Sequence, residues 1–428
     1  MATFDQTDRM VQPHKAFTVL LTVTLLACAG DEDDTVAGDT SSVGVASTTA
    51  APDATVSTST AQAASTAPGP ASVSSTTTSS TPPDSTVPAT TATTATTAAT
   101  SIDAGWQNLE LDGCVCSDGS TLTMYERVAD PTKVVLFFEG GGACFSAETC
   151  DPDGNPTYTV NRHGFSARNL DRFGGLFEFD NPDNPLASHS WIYVPYCTGD
   201  VHIGSTTHDY GNGVVIEHRG HANAMAALEH IASAYPDAEQ IVVTGQSAGS
   251  VPTAQFGGLA ADRFPSADIV TFGDSSGAYP DVDGVSAVLG SVWGTLDAVP
   301  DWPETAGIDM SGWSFPEQYI VAGRHAPQIR FGRFDFAYDE VQAFFGSLAG
   351  VGADQLVTVI DATEAQIEAA GVEVATYVAP GTNHVVSGDS ALYEMEVDGI
   401  RLVDWLRDLI EGPDPPPDVH CTDCRPPG

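Results

Sequence analysis

The stretch Gly245-Gln246-Ser247-Ala248-Gly249 decides how the rest of this chain is interpreted. It follows the run Ile241-Val242-Val243-Thr244, whose length and β-branched character are typical of a buried strand. Small residues come after it. This is the pattern of a nucleophile elbow, a turn from strand into helix so tight that only glycine fits at its two ends. The serine oxygen is then exposed at the apex of the turn.

A second copy of the pattern, Gly273-Asp274-Ser275-Ser276-Gly277, follows another strand-like run at residues 268–272. The motif alone is weak evidence, because a chain with 41 glycines in 428 residues can contain it by chance. Residues 278–284 are rich in turn-forming residues and do not have the pattern of the helix that an elbow needs. We therefore predict that Ser247 is the nucleophile and that Ser275 is a coincidence.

Strand-like and helix-like segments alternate along the chain. Strands are predicted at residues 133–138, 191–196, 241–244, 268–272, 328–334 and 372–378, and helices at 218–235, 248–262, 364–370 and 392–410. This alternation predicts an α/β fold, a mostly parallel sheet with helices on both faces, and a lid region inserted at residues 285–326. The aromatic residues of the insertion either line a pocket or form a satellite core: Trp293, Trp302, Trp313 and Phe315.

A histidine and an acidic residue complete the predicted catalytic set, because a serine hydroxyl is a poor nucleophile unless a base takes its proton. His384 follows the last predicted strand in a Pro-Gly-Thr-Asn loop. Asp339 follows the penultimate strand and is predicted to hold the imidazole tautomer, with Asp335 as the close alternative and Asp274 as a distant one. Serine, acid and histidine, each after a strand end, occur in the chain order of an α/β-hydrolase triad.

A glycine-rich loop predicts the oxyanion hole. The apolar run at residues 133–138 leads into Glu139-Gly140-Gly141-Gly142-Ala143-Cys144. Successive glycines after a buried strand let the backbone turn its N–H groups toward a bound anion. The alternative is a flexible turn before Cys144 and Cys150. We predict that the donors are the N–H groups of Ala248 and of Gly141 or Gly142.

Over residues 106–411 the chain resembles the pectin acetylesterase/Notum family. The resemblance rests on Cys116-Ser117-Asp118-Gly119-Ser120, Glu139–Cys144, Pro195-Tyr196-Cys197-Thr198-Gly199-Asp200-Val201-His202, the Ser247 elbow, Tyr338-Asp339 and His384. It implies an α/β-hydrolase carboxylesterase that needs no cofactor, with Ser247, Asp339 and His384 as its triad. It also implies the disulfides Cys116–Cys197 and Cys144–Cys150. Cys114, Cys421 and Cys424 fall outside that pattern.

The N-terminal residues predict export. Lys15 precedes an apolar run at residues 16–27, and Leu25-Leu26-Ala27-Cys28 resembles a bacterial lipobox. Residues 1–27 are therefore predicted to be a lipoprotein signal peptide with lipid attached to Cys28, ordinary secretion being the alternative. Residues 28–101 are predicted to be a disordered Thr/Ser/Ala/Pro-rich tether. The esterase domain is predicted at residues 102–412 and an irregular Pro-rich tail at 413–428.

Composition restricts the partners. The chain has 15 Lys and Arg residues against 57 Asp and Glu residues, a formal net charge of −42. Such a chain is not expected to bind nucleic acid, or a membrane except through a lipid anchor. Eight cysteines in an exported chain favour disulfides over metal ligands, and no metal is predicted. We predict a monomer outside the cytoplasm that acts on an acylated carbohydrate or a small acyl ester. The alternatives are a non-catalytic glycan-binding lipoprotein, a lipid-chain deacylase and a serine peptidase.

Overall fold

The computed structural model describes residues 105–425, except 281–282, 307 and 309–312. The predicted signal peptide, the tether and the lipid attachment site at Cys28 lie outside the described residues. Within them, no single helix is both long and apolar enough to cross a membrane. One sharply bent pair, Glu340–Leu348 with Ala353–Ala369, meets the requirement by length and composition only.

The strands form one large sheet and two short hairpins. In chain order they are β1 (Gln107–Val115), β2 (Thr121–Arg127), β3 (Asp130–Phe138), β4 (His189–Val194), β5 (Thr206–Asp209), β6 (Val215–His218), β7 (Gln240–Gln246), β8 (Asp268–Asp274), β9 (Arg330–Phe336), β10 (Val374–Ala379), β11 (Glu396–Val397), β12 (Ile400–Arg401) and β13 (Val419–His420). Among the described residues the main sheet has the order β1-β2-β4-β3-β7-β8-β9-β10-β13. β2 pairs antiparallel with both of its neighbours, β1 and β4. Parallel pairing joins the remaining strands of this sheet, in the order β4, β3, β7, β8, β9, β10 and β13.

The α-helices in the described part of the chain connect these strands. They are α1 (Ala147–Cys150), α2 (Ala167–Leu170), α3 (Gly220–Ala234), α4 (Thr253–Arg263), α5 (Asp283–Ala287), α6 (Phe315–His325), α7 (Glu340–Leu348), α8 (Leu356–Ala369) and α9 (Leu402–Glu411). The mostly parallel sheet with helices is the fold that the alternating pattern predicts.

Two hydrophobic cores lie on opposite faces of the sheet, because successive side chains of a strand point to opposite sides. In β7, Ile241 and Val243 belong to one core and Val242 to the other. Helices α3, α4 and α6 contribute side chains to the first core, and α9 contributes to the second. Parallel strands buried on both faces read as continuous apolar runs, which is why these strands are visible in the sequence.

Several predicted segments differ from the structure. The helices predicted at residues 248–262 and 364–370 correspond to α4, which begins at Thr253, and to α8, which begins at Leu356. The helix expected over residues 392–410 begins only at Leu402, because Asp398 and Gly399 adopt positive φ angles of 50° and 84° in a tight turn between β11 and β12. The tail expected to be irregular contains β13, which pairs with β10 at the edge of the main sheet. Two paired residues are too few to show a strand periodicity in the sequence.

The tryptophans of the inserted region belong to the core. Trp293, Trp302 and Trp313 are 3%, 7% and 1% exposed and pack in the first core. The Trp293 indole N–H donates to the carbonyl oxygen of Cys144 at 2.7 Å, and that of Trp302 donates to Asp262 Oδ2 at 2.8 Å. These three side chains therefore belong to a main core of the domain and do not form a separate satellite core.

The two disulfides implied by the resemblance, Cys116–Cys197 and Cys144–Cys150, are both present. A third disulfide joins Cys421 to Cys424 just after β13. Among the described cysteines Cys114 is free and buried, and burial raises the pKa of its thiol to about 11.

Candidate active site

Ser247 lies at the turn directly after β7, at φ +54°, a left-handed backbone conformation that residues other than glycine rarely adopt. A Cβ on Gly245 would overlap the backbone oxygen of Gly249, and a Cβ on Gly249 would overlap that of Phe138. Glycine is therefore required at both ends of the turn, as the motif predicts. A short 3₁₀ turn, Ser247–Gly249, then leads toward α4, and Pro252 occupies the N-cap of that helix.

His384 and Asp339 are in direct contact. The Nδ1 atom of His384 lies 2.7 Å from Oδ2 of Asp339, which is fully buried. Asp339 is also the N-cap of α7, and its Oδ1 atom accepts the backbone N–H groups of Val341 and Gln342, each at 2.9 Å. The Gln342 amide adds a donor to Oδ2 at 3.2 Å. These donors fix the orientation of the carboxylate that faces the imidazole.

Asp335, the close alternative, points elsewhere. Its Oδ1 atom accepts the backbone N–H of Gly277 and the side-chain amide of Gln342, each at 2.9 Å, and its Oδ2 atom lies 3.8 Å from Arg333. Burial raises the pKa of Asp335 to about 6. The structure thus brings Asp339 to the histidine. Asp335 is linked to Asp339 through the side-chain amide of Gln342, which donates to both carboxylates.

Ser247 and His384 follow parallel strands of the same sheet at the same edge. β7 and β10 are separated by β8 and β9, and all four end at the edge where these residues lie. The loop that carries His384 is tied to the elbow, because the Ser387 hydroxyl donates to Oε1 of Gln246 at 3.3 Å. The residue that precedes Ser247 and the loop that follows His384 are therefore directly linked.

The glycine loop after β3 packs directly against the elbow. A Cβ on Gly140 would lie only 2.6 Å from the backbone oxygen of Gln246 and 2.8 Å from Cβ of Ser247. Gly141 and Gly142 have φ angles of +149° and +82°, and a Cβ on Gly142 would overlap the backbone oxygen of Thr157. The absence of side chains lets the backbone of this loop approach Ser247, while Ala248 lies in the first turn after it.

A buried polar network supports the glycine loop, and its role is not visible in the sequence. Glu139 is 2% exposed; its Oε2 atom accepts the backbone N–H of Tyr196 at 2.9 Å, and its Oε1 atom pairs with Arg162. The backbone oxygen of Glu139 lies 2.8 Å from Nε2 of His202. Burial lowers the pKa of His202 to about 4, so the ring is neutral at pH 7 and its Nε2 atom is the donor. The signal for this network in the sequence is Glu139, a charged residue directly after an apolar strand.

The distinctive stretch at residues 195–202 is therefore a support for this loop. Asp200 is fully buried, and its Oδ2 atom accepts the backbone N–H of Gly220 at the start of α3 at 2.8 Å. Its Oδ1 atom accepts the hydroxyl of Thr198 and the backbone N–H of His202. Asp200 thus orients His202, which in turn holds the backbone oxygen of Glu139.

Ser275, in the second copy of the elbow motif, is 1% exposed and has a φ of +68°. Its hydroxyl donates to Oδ1 of Asp274 at 3.0 Å and accepts the backbone N–H of Val385 at 3.2 Å. A serine with this burial cannot meet a substrate in this conformation, whereas Ser247 is half-buried.

Some groups of side chains have metal-ligand chemistry, and these groups do not include Ser247, Asp339 or His384. Within the described ranges they are Cys144, Cys150 and His218; His420, Cys421 and Cys424; and Glu364, Glu368 and Asp418. In the first two groups the cysteines are joined in disulfides and offer no thiolate. The third is a group of carboxylates at least partly open to solvent, a common feature of protein surfaces.

Comparison with known proteins gives consistent matches. A family model described as pectinacetylesterase matches residues 97–293, a range that includes the elbow and the glycine loop and ends before Asp339 and His384. An inactive palmitoleoyl-protein carboxylesterase, notum1b of Danio rerio, is 32% identical over 127 residues, which are 28% of this chain and 81% of that protein. The palmitoleoyl-protein carboxylesterase NOTUM of Homo sapiens is 30% identical over 97 residues, 22% of this chain and only 19% of the human protein.

The fold has a solved counterpart. The crystal structure of the Wnt deacylase Notum from Drosophila superposes with a TM-score of 0.55 at 17% sequence identity, covering 75% of this chain and 97% of that one. This structural likeness shows the fold, and the match to 81% of the Danio rerio relative at 32% identity shows the family. The chain belongs to the pectinacetylesterase/Notum family of carboxylic ester hydrolases.

Proposed function

We propose that this protein is a serine carboxylesterase that removes acyl groups, above all acetyl groups, by way of an acyl-enzyme on Ser247. The observation that carries the proposal is the contact of 2.7 Å between His384 Nδ1 and Asp339 Oδ2 at the sheet edge where the strained Ser247 turn lies. In a triad the acid holds the imidazole tautomer, so that the other ring nitrogen is free to act as a base.

In the first half of the reaction, Ser247 Oγ attacks the carbonyl carbon of the ester while Nε2 of His384 takes the hydroxyl proton. The Asp339 carboxylate accepts the Nδ1–H bond and stabilises the imidazolium. The N–H groups of Ala248 and of Gly141 or Gly142 bind the oxyanion, each donor lowering the barrier by about 3 kcal/mol. The C–O bond then breaks, and the alcohol leaves with the proton that His384 returns.

In the second half, water attacks the acyl-enzyme and His384 takes a proton from it. The tetrahedral species collapses, the acid is released and the Ser247 hydroxyl is restored with the proton from His384. The balance needs only ester and water, so this chemistry is complete without a further reactant.

The family match and the surroundings of the glycine loop support this substrate class. The matching family model is that of pectinacetylesterase, which supports acetyl esters on a carbohydrate. Phe345 of α7 lies 3.5 Å from where a Cβ on Gly142 would be, so an aromatic ring borders the loop on that side. The buried disulfides support action outside the cytoplasm, where such bonds persist. Attachment through Cys28 stays a prediction.

Covalent labelling tests the nucleophile. A fluorophosphonate is expected to modify Ser247, and mass spectrometry of the digested protein identifies the site. Ser247→Ala should abolish labelling and the turnover of p-nitrophenyl acetate, and Ser275→Ala should retain the label on Ser247. A label on Ser275, or turnover unchanged in Ser247→Ala, would move the active site elsewhere.

A series of esters then defines the acyl group. One leaving group is combined with chains from acetyl to palmitoyl, and acetylated pectin and xylan are assayed in parallel. A deacetylase loses kcat/KM as the chain lengthens and releases acetate from at least one polysaccharide. An optimum at long chains assigns a lipid-chain deacylase instead.

A non-catalytic role is the second candidate, because one relative with 32% identity is described as inactive. In that case the protein binds a glycan through the same fold without turnover. Isothermal titration with xylan or pectin oligosaccharides, in a preparation that neither reacts with fluorophosphonate nor releases acyl groups, would establish this function.

A further inference from the structure

The second copy of the elbow motif contains two buried polar residues, Asp274 and Ser275, at the end of β8. Asp274 is fully buried and Ser275 is 1% exposed. Both lie between the strand that leads to Ser247 and the strand that precedes Asp339, because β8 is hydrogen-bonded to β7 on one side and to β9 on the other. A carboxylate in such a place needs partners for its oxygens, since an unpaired buried charge is costly.

Those partners are the three successive backbone N–H groups that follow His384. Oδ2 of Asp274 accepts the N–H groups of Val386 at 2.9 Å and Ser387 at 2.8 Å. The Ser275 hydroxyl accepts the N–H of Val385 at 3.2 Å and donates to Oδ1 of Asp274 at 3.0 Å. The pair therefore binds every backbone donor from Val385 to Ser387.

The backbone of this segment is strained at Val385. Val385 is β-branched and has a φ of +59°, a left-handed conformation that is unfavourable for such a residue. Three N–H groups turned to one side form a concave donor site, which suits an anion. Hydrogen bonds to a charged acceptor are stronger than neutral ones, so Asp274 can offset the strain at Val385.

We propose that Asp274, assisted by Ser275, is a positioning residue for the catalytic histidine. Asp339 holds the His384 ring at Nδ1, and Asp274 holds the backbone that follows the ring. Together the two contacts fix the ring of His384 and the backbone segment that follows it. This inference rests on the proposed triad and gives a role to Asp274 and Ser275 of the second Gly-x-Ser-x-Gly copy.

The test compares Asp274→Asn and Ser275→Ala with a control on the same strand. Asp268→Asn is that control, because Asp268 lies at the opposite end of β8 and its carboxylate binds Arg330 at 2.6 and 2.7 Å. Its loss disturbs β8 without reaching the His384 loop. For each variant kcat and KM for p-nitrophenyl acetate, the melting temperature and the NMR resonance of the His384 Nδ1 proton are measured.

Asp274→Asn is expected to lower kcat by about 10- to 100-fold with KM within about twofold, since small misplacements of a catalytic group cost this much. The Nδ1 proton resonance, which reports the bond to Asp339, should broaden or disappear while the far-UV circular dichroism stays native. Ser275→Ala should lower kcat by about three- to tenfold. Asp268→Asn should lose melting temperature but keep kcat and the resonance.

The proposal is overturned if Asp274→Asn keeps kcat within twofold and retains the resonance, or if Asp268→Asn shows the same losses. If Asp274→Asn does not fold, Ser275→Ala alone decides: unchanged kcat and resonance reject the anchor. Failure of the triad itself is recognised separately, because Ser247→Ala would then keep its turnover. The NMR resonance reports the position of His384 even in an inactive protein.

Discussion

Nδ1 of His384 lies 2.7 Å from Oδ2 of Asp339, although 45 positions separate the two residues in the chain. The contact arises because β9 and β10 are parallel neighbours, with Phe336 paired to Ala379 at their carboxyl ends. Both loops therefore emerge at one edge of the sheet. Asp339 is also fixed as the N-cap of α7, so its carboxylate is oriented before any substrate binds.

The choice between two acidic residues can be tested by substitution. Asp339→Ala should lower kcat for p-nitrophenyl acetate by about 10³-fold or more, because the imidazole loses the group that fixes its tautomer. Asp335→Asn should lower kcat by less than about tenfold, since Asp335 reaches Asp339 only through Gln342. Steady-state kinetics on both purified variants provide the measurement. Equal losses of kcat in the two variants would show that the hydrogen bond to His384 does not single out Asp339 as the catalytic acid.

The close approach of the glycine loop to the elbow predicts a steric effect. In Gly140→Ala the new methyl group meets the backbone oxygen of Gln246 at 2.6 Å and Cβ of Ser247 at 2.8 Å, so one of the two segments must move. We expect kcat to fall by at least about tenfold, because oxyanion donors act only at the correct distance. The rate of fluorophosphonate labelling should fall in parallel.

Gly284→Ala in α5 is the matched control, since a Cβ there meets nothing within 4 Å. It should leave kcat and labelling unchanged. If Gly140→Ala behaves like this control, the glycine loop is not packed against Ser247 as described.

The two disulfides implied by the resemblance should contribute differently to stability. Cys116–Cys197 closes a loop of 81 residues and Cys144–Cys150 a loop of 6. The chain-entropy estimate is about 4.5 kcal/mol for the long loop and about 2 kcal/mol for the short one. Urea denaturation of the double Cys→Ser variants measures the difference. A larger loss of stability for the 144–150 pair would show that native-state contacts, not loop entropy, decide the outcome.

The buried side chain of His189 should contribute to the pH dependence of the free energy of unfolding. Burial lowers the pKa of His189 to about 4, while the unfolded chain has a value of about 6.5. Between these pH values the unfolded state binds about one more proton, so this residue lowers the free energy of unfolding as the pH falls from about 6.5 to about 4. The contribution is about 1.4 kcal/mol per pH unit over that window.

His189→Gln removes this titration, and its amide nitrogen can replace Nε2 beside Oε1 of Gln240. The difference in free energy of unfolding between wild type and variant should therefore become more favourable to the variant as the pH is lowered from 6.5 to 4. Urea titrations at several pH values measure it. A difference independent of pH would show that folding leaves the pKa of His189 unchanged.

Much of this fold is visible in the sequence because the central strands are buried on both faces. β3, β7 and β8 appear in the sequence as apolar runs. Gly245 and Gly249 of the elbow are recognisable because any side chain at these positions would overlap neighbouring backbone atoms. The elements that the sequence concealed lie at the edges of the sheet. Apolar and polar residues alternate along much of β1 and β2, so these strands do not form apolar runs. β13 has only two residues, which pair with β10.

The amino-acid sequence by itself determined the chain order of serine, acid and histidine, the glycine loop and the family. These are local patterns, and each follows from the backbone conformations that its own residues allow. Only the tertiary structure decided which carboxylate faces His384 and what the second Gly-x-Ser-x-Gly copy contacts. Asp335, Asp339 and Asp274 all follow or end strands of one sheet, so their local sequence does not separate them. Their roles depend on hydrogen bonds across 45 to 113 positions, which form only when parallel strands bring those loops together.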